Sequence, residues 1–312
     1  MDHTQYSKAF VSGGAGFIGS HIVEKLLHRG IKTVVLDDLS VGKKENIPGE
    51  AELIIGDVCE PQIVQKALTE VDFVIHLAAR VSIRDSFRSF IEDARTNVMG
   101  TVNLLKHIEG SAVKKFIYAS SMATYGDSMY LPIDEKHPLD PTSPYGISKL
   151  ASEKYVQCFC KQHGIDPVIL RYFNTYGPRQ TLTPYVGVIT IFIQKLLREE
   201  DLPIFGDGRQ VRDFISVDDV AEATLLAMDY AGPINTFNVG SGTGTDINSL
   251  AQILKEAMKK STKIEYLPKQ PGEPTDSIAD ITLAKKELGF TPRWSLEQKL
   301  PEVIEWNRRN DH

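Results

Sequence analysis

Short runs of apolar, mostly β-branched residues recur along the first half of the chain, separated by longer stretches with a helical period. The runs occupy residues 9–11, 33–36, 53–55, 73–77, 115–119 and 167–171, and a seventh lies at 236–239. Residues 17–28 and 91–108 repeat apolar side chains with the spacing of an amphipathic helix. Continuous apolar strands that alternate with helices are typical of a parallel sheet covered on both faces. The sequence therefore predicts an α/β fold with a doubly wound sheet.

The second half of the chain has a looser pattern. Turns rich in Gly and Pro separate helical patterns at residues 186–197, 217–228, 250–258 and 296–307. We predict that residues 1–177 form the sheet domain and that residues 178–312 form a smaller C-terminal α/β lobe. The run at 236–239 is expected to return to the first sheet.

Composition excludes several classes of protein. The 312 residues have a net charge of −6 and are 42% hydrophobic, which is too apolar for a disordered chain. No apolar run approaches the ~18 residues of a membrane helix, and no basic stripe indicates nucleic-acid binding. The first residues lack the apolar core of a signal peptide, and three Cys residues cannot form a full disulfide set. We expect a reduced, cytoplasmic protein without a metal site.

A glycine-rich turn, Gly13-Gly14-Ala15-Gly16-Phe17-Ile18-Gly19, joins the first strand to the first helix. Such a turn lets a pyrophosphate approach the helix N-terminus, where free N–H groups and the helix dipole favour anions. Its place between a strand and a helix is the context that distinguishes a dinucleotide site from a turn that only packs. The sequence therefore predicts a Rossmann dinucleotide-binding domain.

Two acidic residues extend this predicted site. Asp37 ends the second strand, close to the ~20 residues beyond the turn expected of an acid that binds ribose hydroxyls. A carboxylate there repels a 2′-phosphate and favours NAD over NADP, although Lys43 and Lys44 follow it. Asp57 follows the third strand and is either an acceptor for the adenine amino group or an ordinary turn acid or helix cap.

Tyr145 and Lys149 are spaced to share one face of a helix that Pro144 could begin. An ammonium group near a phenol favours the phenolate, so we expect Lys149 to lower the pKa of Tyr145 and make it a usable base. Ser120 and Ser121 end the preceding strand, where ligands of parallel sheets bind. Either serine could share a substrate proton with Tyr145 or could cap the strand end.

Several motifs spread over nearly the whole chain resemble those of the extended short-chain dehydrogenase/reductase family, and within it the UDP-glucose 4-epimerase group. Besides the glycine-rich turn they are Leu-Asp-Asp-Leu-Ser (36–40), Gly-Asp-Val (56–58), His-Leu-Ala-Ala (76–79), Thr-Asn-Val-Met-Gly-Thr (96–101), Tyr-Gly-Ile-Ser-Lys (145–149), Arg-Tyr-Phe-Asn (171–174) and Arg-Asp-Phe-Ile (212–215). The resemblance implies an NAD-dependent epimerase that inverts carbon 4 of a UDP-hexose through a 4-keto intermediate.

The resemblance also implies roles for individual residues. Tyr145 would be the base, Ser121 would bridge the sugar hydroxyl and Tyr145, and Lys149 would bind the nicotinamide ribose. The implied cofactor-binding set comprises Gly13, Gly16, Phe17, Ile18, Gly19, Asp37, Asp38, Asp57, Val58, Ala78, Ala79, Asn97, Tyr145 and Lys149. The implied substrate-binding set comprises Ser121, Tyr145, Asn174, Arg212, Glu273 and Ser277.

Departures from the family pattern bear on the substrate. Met122 and Ala123 follow Ser121, where dehydratases and decarboxylases of the family carry acids. Thr181 stands where glucuronate epimerases place an Arg, which disfavours a uronic acid. Gln270 replaces an expected Arg of the nucleotide site, and Lys269 is the candidate substitute for that cation. Ser277 stands where a bulky Tyr would limit the sugar to glucose and galactose, so UDP-GlcNAc and UDP-GalNAc are further candidate substrates.

Other interpretations remain open from the sequence. One alternative is another nucleotide-sugar enzyme of the extended family, a UDP-glucuronate 4-epimerase or a heptose 6-epimerase, the latter because of Ala-Thr-Tyr-Gly at 123–126. Another is an NAD-binding protein without catalytic activity, since fold alone does not define function. The family resemblance further implies a homodimer packed through helices at 91–108 and 145–162, whose apolar faces could equally belong to the core.

Overall fold

The structure, a computed structural model, describes residues 6–181, 187–269 and 276–310. The strands in these ranges are β1 (Lys8–Ser12), β2 (Lys32–Asp37), β3 (Glu52–Ile55), β4 (Phe73–His76), β5 (Lys115–Ser121), β6 (Asp166–Tyr172), β7 (Asn174–Tyr176), β8 (Leu202–Phe205), β9 (Val211–Ser216), β10 (Thr236–Val239), β11 (Gly244–Asp246) and β12 (Ile264–Leu267). The α-helices are α1 (Phe17–His28), α2 (Pro61–Ala67), α3 (Ile83–Ser86), α4 (Phe90–Ala94), α5 (Gly100–Ile108), α6 (Pro144–His163), α7 (Val188–Leu197), α8 (Val217–Asp229), α9 (Ile247–Met258), α10 (Thr282–Glu287) and α11 (Leu296–Arg309).

The main sheet contains seven parallel strands in the order β10-β6-β5-β4-β1-β2-β3. Strand order reverses direction at β1, as in doubly wound folds, so the loops after β1 and β4 border a crevice at the carboxyl edge of the sheet. The predicted runs coincide with these strands, and the run at 236–239 pairs with β6 as expected. The predicted Rossmann fold is confirmed.

Both faces of the main sheet are buried because its strands are apolar at consecutive positions. One face packs against α1 and α8 through side chains such as Val11, Ile75 and Leu170. The other packs against α2, α5 and α6 through side chains such as Phe10 and Phe116. Burial on both faces explains why these strands have no polar alternation.

Helix α6, which carries Tyr145 and Lys149, has strong local signals at both ends. The side chain of Ser143 accepts a hydrogen bond from the backbone N–H of Gly146, at 3.1 Å, and Pro144 occupies the first turn. Gly164 ends the helix with a φ of 67°, in the left-handed region that glycine adopts without strain. Local sequence signals therefore determine where the helix that carries Tyr145 and Lys149 begins and ends.

The stretch predicted as one helix at 91–108 is interrupted by a single π-helical segment. Helix α4 continues into π-helical residues Arg95–Met99 and then into α5. A π segment inside an α-helix re-aims the side chains that it carries, and such segments often occur at functional sites. Here the segment contains Asn97, which is 1% exposed.

The second half of the chain builds a lobe around its own apolar core. Helices α7, α9 and α11 enclose this core with Tyr176 and Phe214. Strands β11, β9 and β7 form a three-stranded sheet, and β12 pairs with β8. These short strands were not predicted individually, because three- and four-residue strands carry too little periodicity to recognise. Helix α8, which lies beyond the predicted boundary at 177, packs against the main sheet.

Candidate active site

The glycine-rich turn brings the backbone close to the crevice between β1 and β4. Gly13 has a φ of 70°, and a Cβ on it would lie 2.7 Å from the backbone N of Ala78. A Cβ on Gly19 would lie 2.2 Å from the carbonyl oxygen of Gly13. Gly16 precedes α1 and provides no side-chain cap, so the helix N-terminus keeps free N–H groups. These features form a cradle for a pyrophosphate, with Phe17 and Ile18 in the first turn of the helix.

Asp37 lies at the end of β2 beside this turn and is 7% exposed. Its two carboxylate oxygens accept hydrogen bonds from the backbone N–H groups of Ala15 and Leu39, both at 2.9 Å. Burial raises the pKa of Asp37, and the backbone hydrogen bonds oppose this rise. The carboxylate is therefore held in a fixed orientation with lone pairs left for ribose hydroxyls. Asp38 is exposed and instead accepts hydrogen bonds from Ser40.

Asp57 has the turn role that the sequence left open, and it also forms an ion pair that was not predicted. One oxygen accepts a hydrogen bond from the backbone N–H of Cys59 at 2.8 Å, as in a turn. The other accepts from the guanidinium of Arg95, at 2.7 Å, in the π-helical segment. The ion pair joins the loop after β3 to that segment, and Val58 beside it is buried.

Asn97 connects three segments by hydrogen bonds, namely the loop after β4, helix α4 and helix α6. Its side-chain oxygen accepts from the backbone N–H of Arg80 at 2.8 Å. Its amide group has acceptors in the carbonyl oxygen of Arg80, Oδ2 of Asp93 and Oγ of Ser148, at 3.0, 3.1 and 2.9 Å. Asn97 therefore fixes the loop that follows Ala78 and Ala79 against helix α6.

Tyr145 and Lys149 lie one turn apart on α6, and both are buried, with 8% and 3% exposure. The ammonium of Lys149 lies 4.4 Å from the ring centroid of Tyr118 in β5, a cation–π contact. Burial lowers the pKa of Lys149 to about 7, and the carboxylates of Glu153 and Asp93 oppose this change. Among the described residues Lys149 Nζ has no hydrogen-bond acceptor, so a buried donor is available for cofactor hydroxyls.

The expected lowering of the Tyr145 pKa is not found. Burial raises the pKa of Tyr145 to about 12, and a hydrogen bond with Ser121 only partly opposes this. The prediction considered the charge of Lys149 but not the loss of solvation, which disfavours a buried phenolate. The phenol of Tyr145 is therefore protonated at neutral pH.

The structure separates the two serines at the end of β5. Ser120 donates to Oε1 of Glu153 at 2.5 Å and is fully engaged in the core. Ser121 interacts with Tyr145, and its Oγ also accepts a weak hydrogen bond from the backbone N–H of Ala123 at 3.2 Å. Ser121 is thus both a cap and a neighbour of the phenol, whereas Ser120 is structural.

A cavity of about 280 Å³ lies between the main sheet and the lobe. Its wall includes Arg84, Met122, Asn174, Gln180, Phe205 and Arg212. Ser277 is 0% exposed and accepts a long hydrogen bond from the Asn174 amide at 3.5 Å, so it lies directly behind a wall residue. Glu273 and Gln270 lie outside the described residues.

Several groups at the site were not predicted from the sequence. Arg84 lies over the ring of Phe205, 4.6 Å from the centroid, and so bridges the sheet domain and the lobe at the cavity. Asp93 and Glu153, both buried, act on the pKa of Lys149. Glu153 is four residues beyond Lys149, a spacing that could have indicated a shared helix face. No local sequence pattern indicated Arg84, Phe205 or Asp93.

Comparison with known proteins agrees with this geometry. The family model "NAD dependent epimerase/dehydratase family" matches residues 9–240. A putative UDP-glucose 4-epimerase from Methanocaldococcus jannaschii is 40% identical over 303 residues, which are 96% of this chain and 98% of that protein.

Solved structures show the same similarity. UDP-glucose 4-epimerase from Thermotoga maritima, solved with UDP-glucose, has a TM-score of 0.94 and 39% identity, covering 98% of this chain and 100% of that chain. UDP-N-acetylglucosamine 4-epimerase from Methanobrevibacter ruminantium M1, in complex with UDP-N-acetylmuramic acid, has a TM-score of 0.93 and 34% identity. It covers 99% of this chain and 100% of that chain.

The chain belongs to the NAD-dependent epimerase/dehydratase family. It is an NAD-dependent isomerase of the epimerase type, and the predicted family, enzyme class and NAD cofactor are confirmed. No helix of the described residues is long and apolar enough to cross a membrane. Within the same residues no cluster of His, Cys, Asp and Glu could hold a metal ion. The cytoplasmic location remains a prediction.

Proposed function

We propose that the protein inverts carbon 4 of a UDP-hexose, interconverting UDP-glucose and UDP-galactose. The observation that carries this proposal is the meeting of three features at one edge of the sheet. The glycine-rich cradle lies on one side, Tyr145 with Lys149 lies on α6, and the cavity lined by Asn174 and Arg212 lies beside Met122. Met122 directly follows Ser121, so the cavity adjoins the candidate catalytic group.

The cofactor fits the residues that are present. The glycine-rich turn, in which Gly13 and Gly19 have no room for a Cβ, leads into a helix N-terminus. On α6, the buried ammonium of Lys149 has no hydrogen-bond acceptor among the described residues. Residues Gly13, Gly16 and Gly19 would admit the pyrophosphate, Asp37 would hold a ribose, and Lys149 would bind the nicotinamide ribose. When bound, NAD would supply a reversible hydride acceptor and a positive charge.

The chain's own residues move the proton. Tyr145 as phenolate would remove the proton of the sugar 4-hydroxyl, while Ser121 would hold that hydroxyl by a hydrogen bond. After the 4-keto sugar has turned over, the phenol of Tyr145 would return the proton to the carbonyl oxygen. Burial raises the pKa of Tyr145 to about 12, so the phenol retains the proton that this second step uses.

The lobe would hold the nucleotide diphosphate. Arg212 lines the cavity and its guanidinium can make charge-assisted hydrogen bonds to phosphate oxygens. We therefore propose a division in which residues 1–177, with the returned strand β10, bind NAD, and residues 178–312 bind the sugar nucleotide. The guanidinium of Arg84 lies over the ring of Phe205, and this contact would close one end of the cavity.

The same site would accept N-acetylated sugars. Ser277 lies behind Asn174 with a small side chain, so position 277 contributes no aromatic ring to this part of the wall. We propose that UDP-GlcNAc and UDP-GalNAc are also interconverted, as the name of the Methanobrevibacter relative suggests for that protein. Thr181 in place of an Arg, and Met122 and Ala123 in place of acids, argue against a uronic acid and against dehydration or decarboxylation.

The exposed apolar residues support a homodimer. Phe90, Ile91 and Met99 on the interrupted helix are 58%, 78% and 57% exposed, and Ile147 and Tyr155 on α6 are 56% and 51% exposed. Such a patch marks an interaction surface, and it lies on the two helices that the family resemblance implicates. We propose that two copies pack through α4–α5 and α6.

The dimer is tested by light scattering coupled to size-exclusion chromatography. Ile91→Asp should give a monomer, because a charge would be buried in the interface. Ile55→Asp, at a position on β3 that is 58% exposed, should remain dimeric. A dimeric Ile91→Asp protein would reject the proposed surface.

A panel of UDP-sugars tests the activity. The protein with NAD should interconvert UDP-glucose and UDP-galactose without net release of NADH. Tyr145→Phe should abolish turnover and retain NAD binding. Absence of interconversion across the panel, or loss of water or carbon dioxide from a substrate, would reject a 4-epimerase.

A further inference from the structure

A continuous chain of buried hydrogen bonds runs beneath the cofactor crevice. The backbone N–H of Ala78 donates to Oγ of Ser12 at 3.3 Å, and Ser12 Oγ lies 2.6 Å from Nδ1 of His76. On the other side of the ring, Nε2 of His76 lies 2.9 Å from Oγ1 of Thr101. Thr101 in turn donates to the carbonyl oxygen of Asn97 at 2.6 Å.

Only one tautomer of a neutral His76 ring satisfies this chain. The single hydroxyl proton of Thr101 is given to Asn97, so Thr101 must accept a proton from Nε2–H of His76. Nδ1 is then unprotonated and accepts from Ser12, whose oxygen accepts from Ala78. Burial together with the charge of Lys149 lowers the pKa of His76 to about 3, which favours the neutral ring.

The two ends of this chain are functional elements of the site. At one end, Ala78 packs against the glycine-rich turn, since a Cβ on Gly13 would lie 2.7 Å from its nitrogen. At the other end, the π-helical segment holds Asn97, whose amide contacts Ser148 of α6 at 2.9 Å. Ser152 of α6 also donates to the Asn97 carbonyl at 2.8 Å. The chain thus connects the cofactor cradle to the helix that carries Tyr145 and Lys149.

We propose that Ser12, His76 and Thr101 form a positioning relay that couples the cofactor cradle to the catalytic helix. His76 is a positioning residue, because it acts through Ala78 and Asn97. Its ring sets the distance between the glycine-rich turn and the π-helical segment, and its fixed neutral tautomer keeps a second positive charge away from Lys149. This inference builds on the proposed function, but its effect on NAD binding does not depend on the sugar substrate.

Thr101→Val tests the relay, because it leaves Nε2–H of His76 without an acceptor. We expect the affinity for NAD, measured by calorimetry, to fall about tenfold, the factor to which one buried hydrogen bond of about 1.4 kcal/mol corresponds. Thr101→Ser keeps the hydroxyl and should restore most of that affinity. The kcat should fall in Thr101→Val with little change in the KM for the UDP-sugar, because Asn97 positions α6 and not the lobe.

Thr224 provides a matched control. Like Thr101 it is 0% exposed, donates to the carbonyl four residues earlier, at 2.8 Å, and contacts an aromatic side chain, the hydroxyl of Tyr172. Thr224→Val should therefore lower the melting temperature as Thr101→Val does, yet bind NAD normally. Equal losses of NAD affinity in the two variants, or none in Thr101→Val, would overturn the relay.

A measurement on the unmodified protein avoids variants that fold poorly. Carbon-13 NMR of labelled histidine should show His76 as the neutral Nε2–H tautomer throughout pH 5 to 8. The Nδ1–H tautomer, or titration of His76 in this range, would overturn the relay. Because NMR and NAD binding need no sugar, failure of the epimerase assay alone would reject the proposed function and not the relay.

Discussion

Glu153→Gln should destabilise the protein strongly. Glu153 is 0% exposed, and its two oxygens accept hydrogen bonds from the Arg171 guanidinium at 2.9 and 2.7 Å. Arg171, 3% exposed, has no other carboxylate partner among the described residues. The substitution would leave the guanidinium as a buried uncompensated charge.

The expected cost follows from the geometry of this pair. Breaking a buried ion pair by removing one partner costs about 3–5 kcal/mol, and a chain of this size loses roughly 2 °C of melting temperature for each kcal/mol. The melting temperature measured by calorimetry should therefore fall by about 6–10 °C. Glu153→Gln/Arg171→Leu removes the stranded charge and should recover part of the loss.

The surface ion pair of Lys106 and Glu109 provides the control. Their side chains are 72% and 42% exposed, and exposed pairs contribute little to stability. Glu109→Gln should leave the melting temperature unchanged. A Glu153→Gln protein that melts with the same profile as the unmodified protein, or a double variant less stable than Glu153→Gln, would refute the reasoning.

Three further predictions concern the site. Gly19→Ala should lower NAD affinity by more than about tenfold in a calorimetric titration, because its Cβ would lie 2.2 Å from a carbonyl oxygen of the cradle. Gly30→Ala, strained but facing open space, should bind NAD normally. Lys149→Met should cut kcat by about 100-fold at pH 7. Because burial raises the pKa of Tyr145 to about 12, the kcat of this variant should rise with pH through pH 9, and a flat profile would contradict this. Ser277→Tyr should abolish turnover of UDP-GlcNAc and spare UDP-glucose in the epimerase assay, and equal retention of both would contradict the assigned wall.

The main sheet could be predicted because each strand is buried on both faces and reads as an unbroken apolar run. The cradle could be predicted because close approach of backbone to a ligand needs glycine at fixed spacing, as Gly13 and Gly19 show. The π-helical segment around Asn97 could not, since an apolar period does not reveal one inserted residue. Nor could the contact of Lys149 with Tyr118, which depends on how α6 packs over β5.

The reversed pKa of Tyr145 shows why a motif alone does not define a base. Tyr145 and Lys149 lie one turn apart on α6 as predicted, but both are nearly inaccessible to solvent. Burial disfavours the charged form of each group, so it raises the pKa of Tyr145 to about 12 and lowers the pKa of Lys149 to about 7. Tyr145 is therefore uncharged in the neutral pH range while Lys149 is only partly charged, and the phenolate needs further positive charge beside it. Proton abstraction should consequently depend on occupancy of the cofactor site as well as on Lys149, which ties the chemistry of α6 to the cradle at the end of β1.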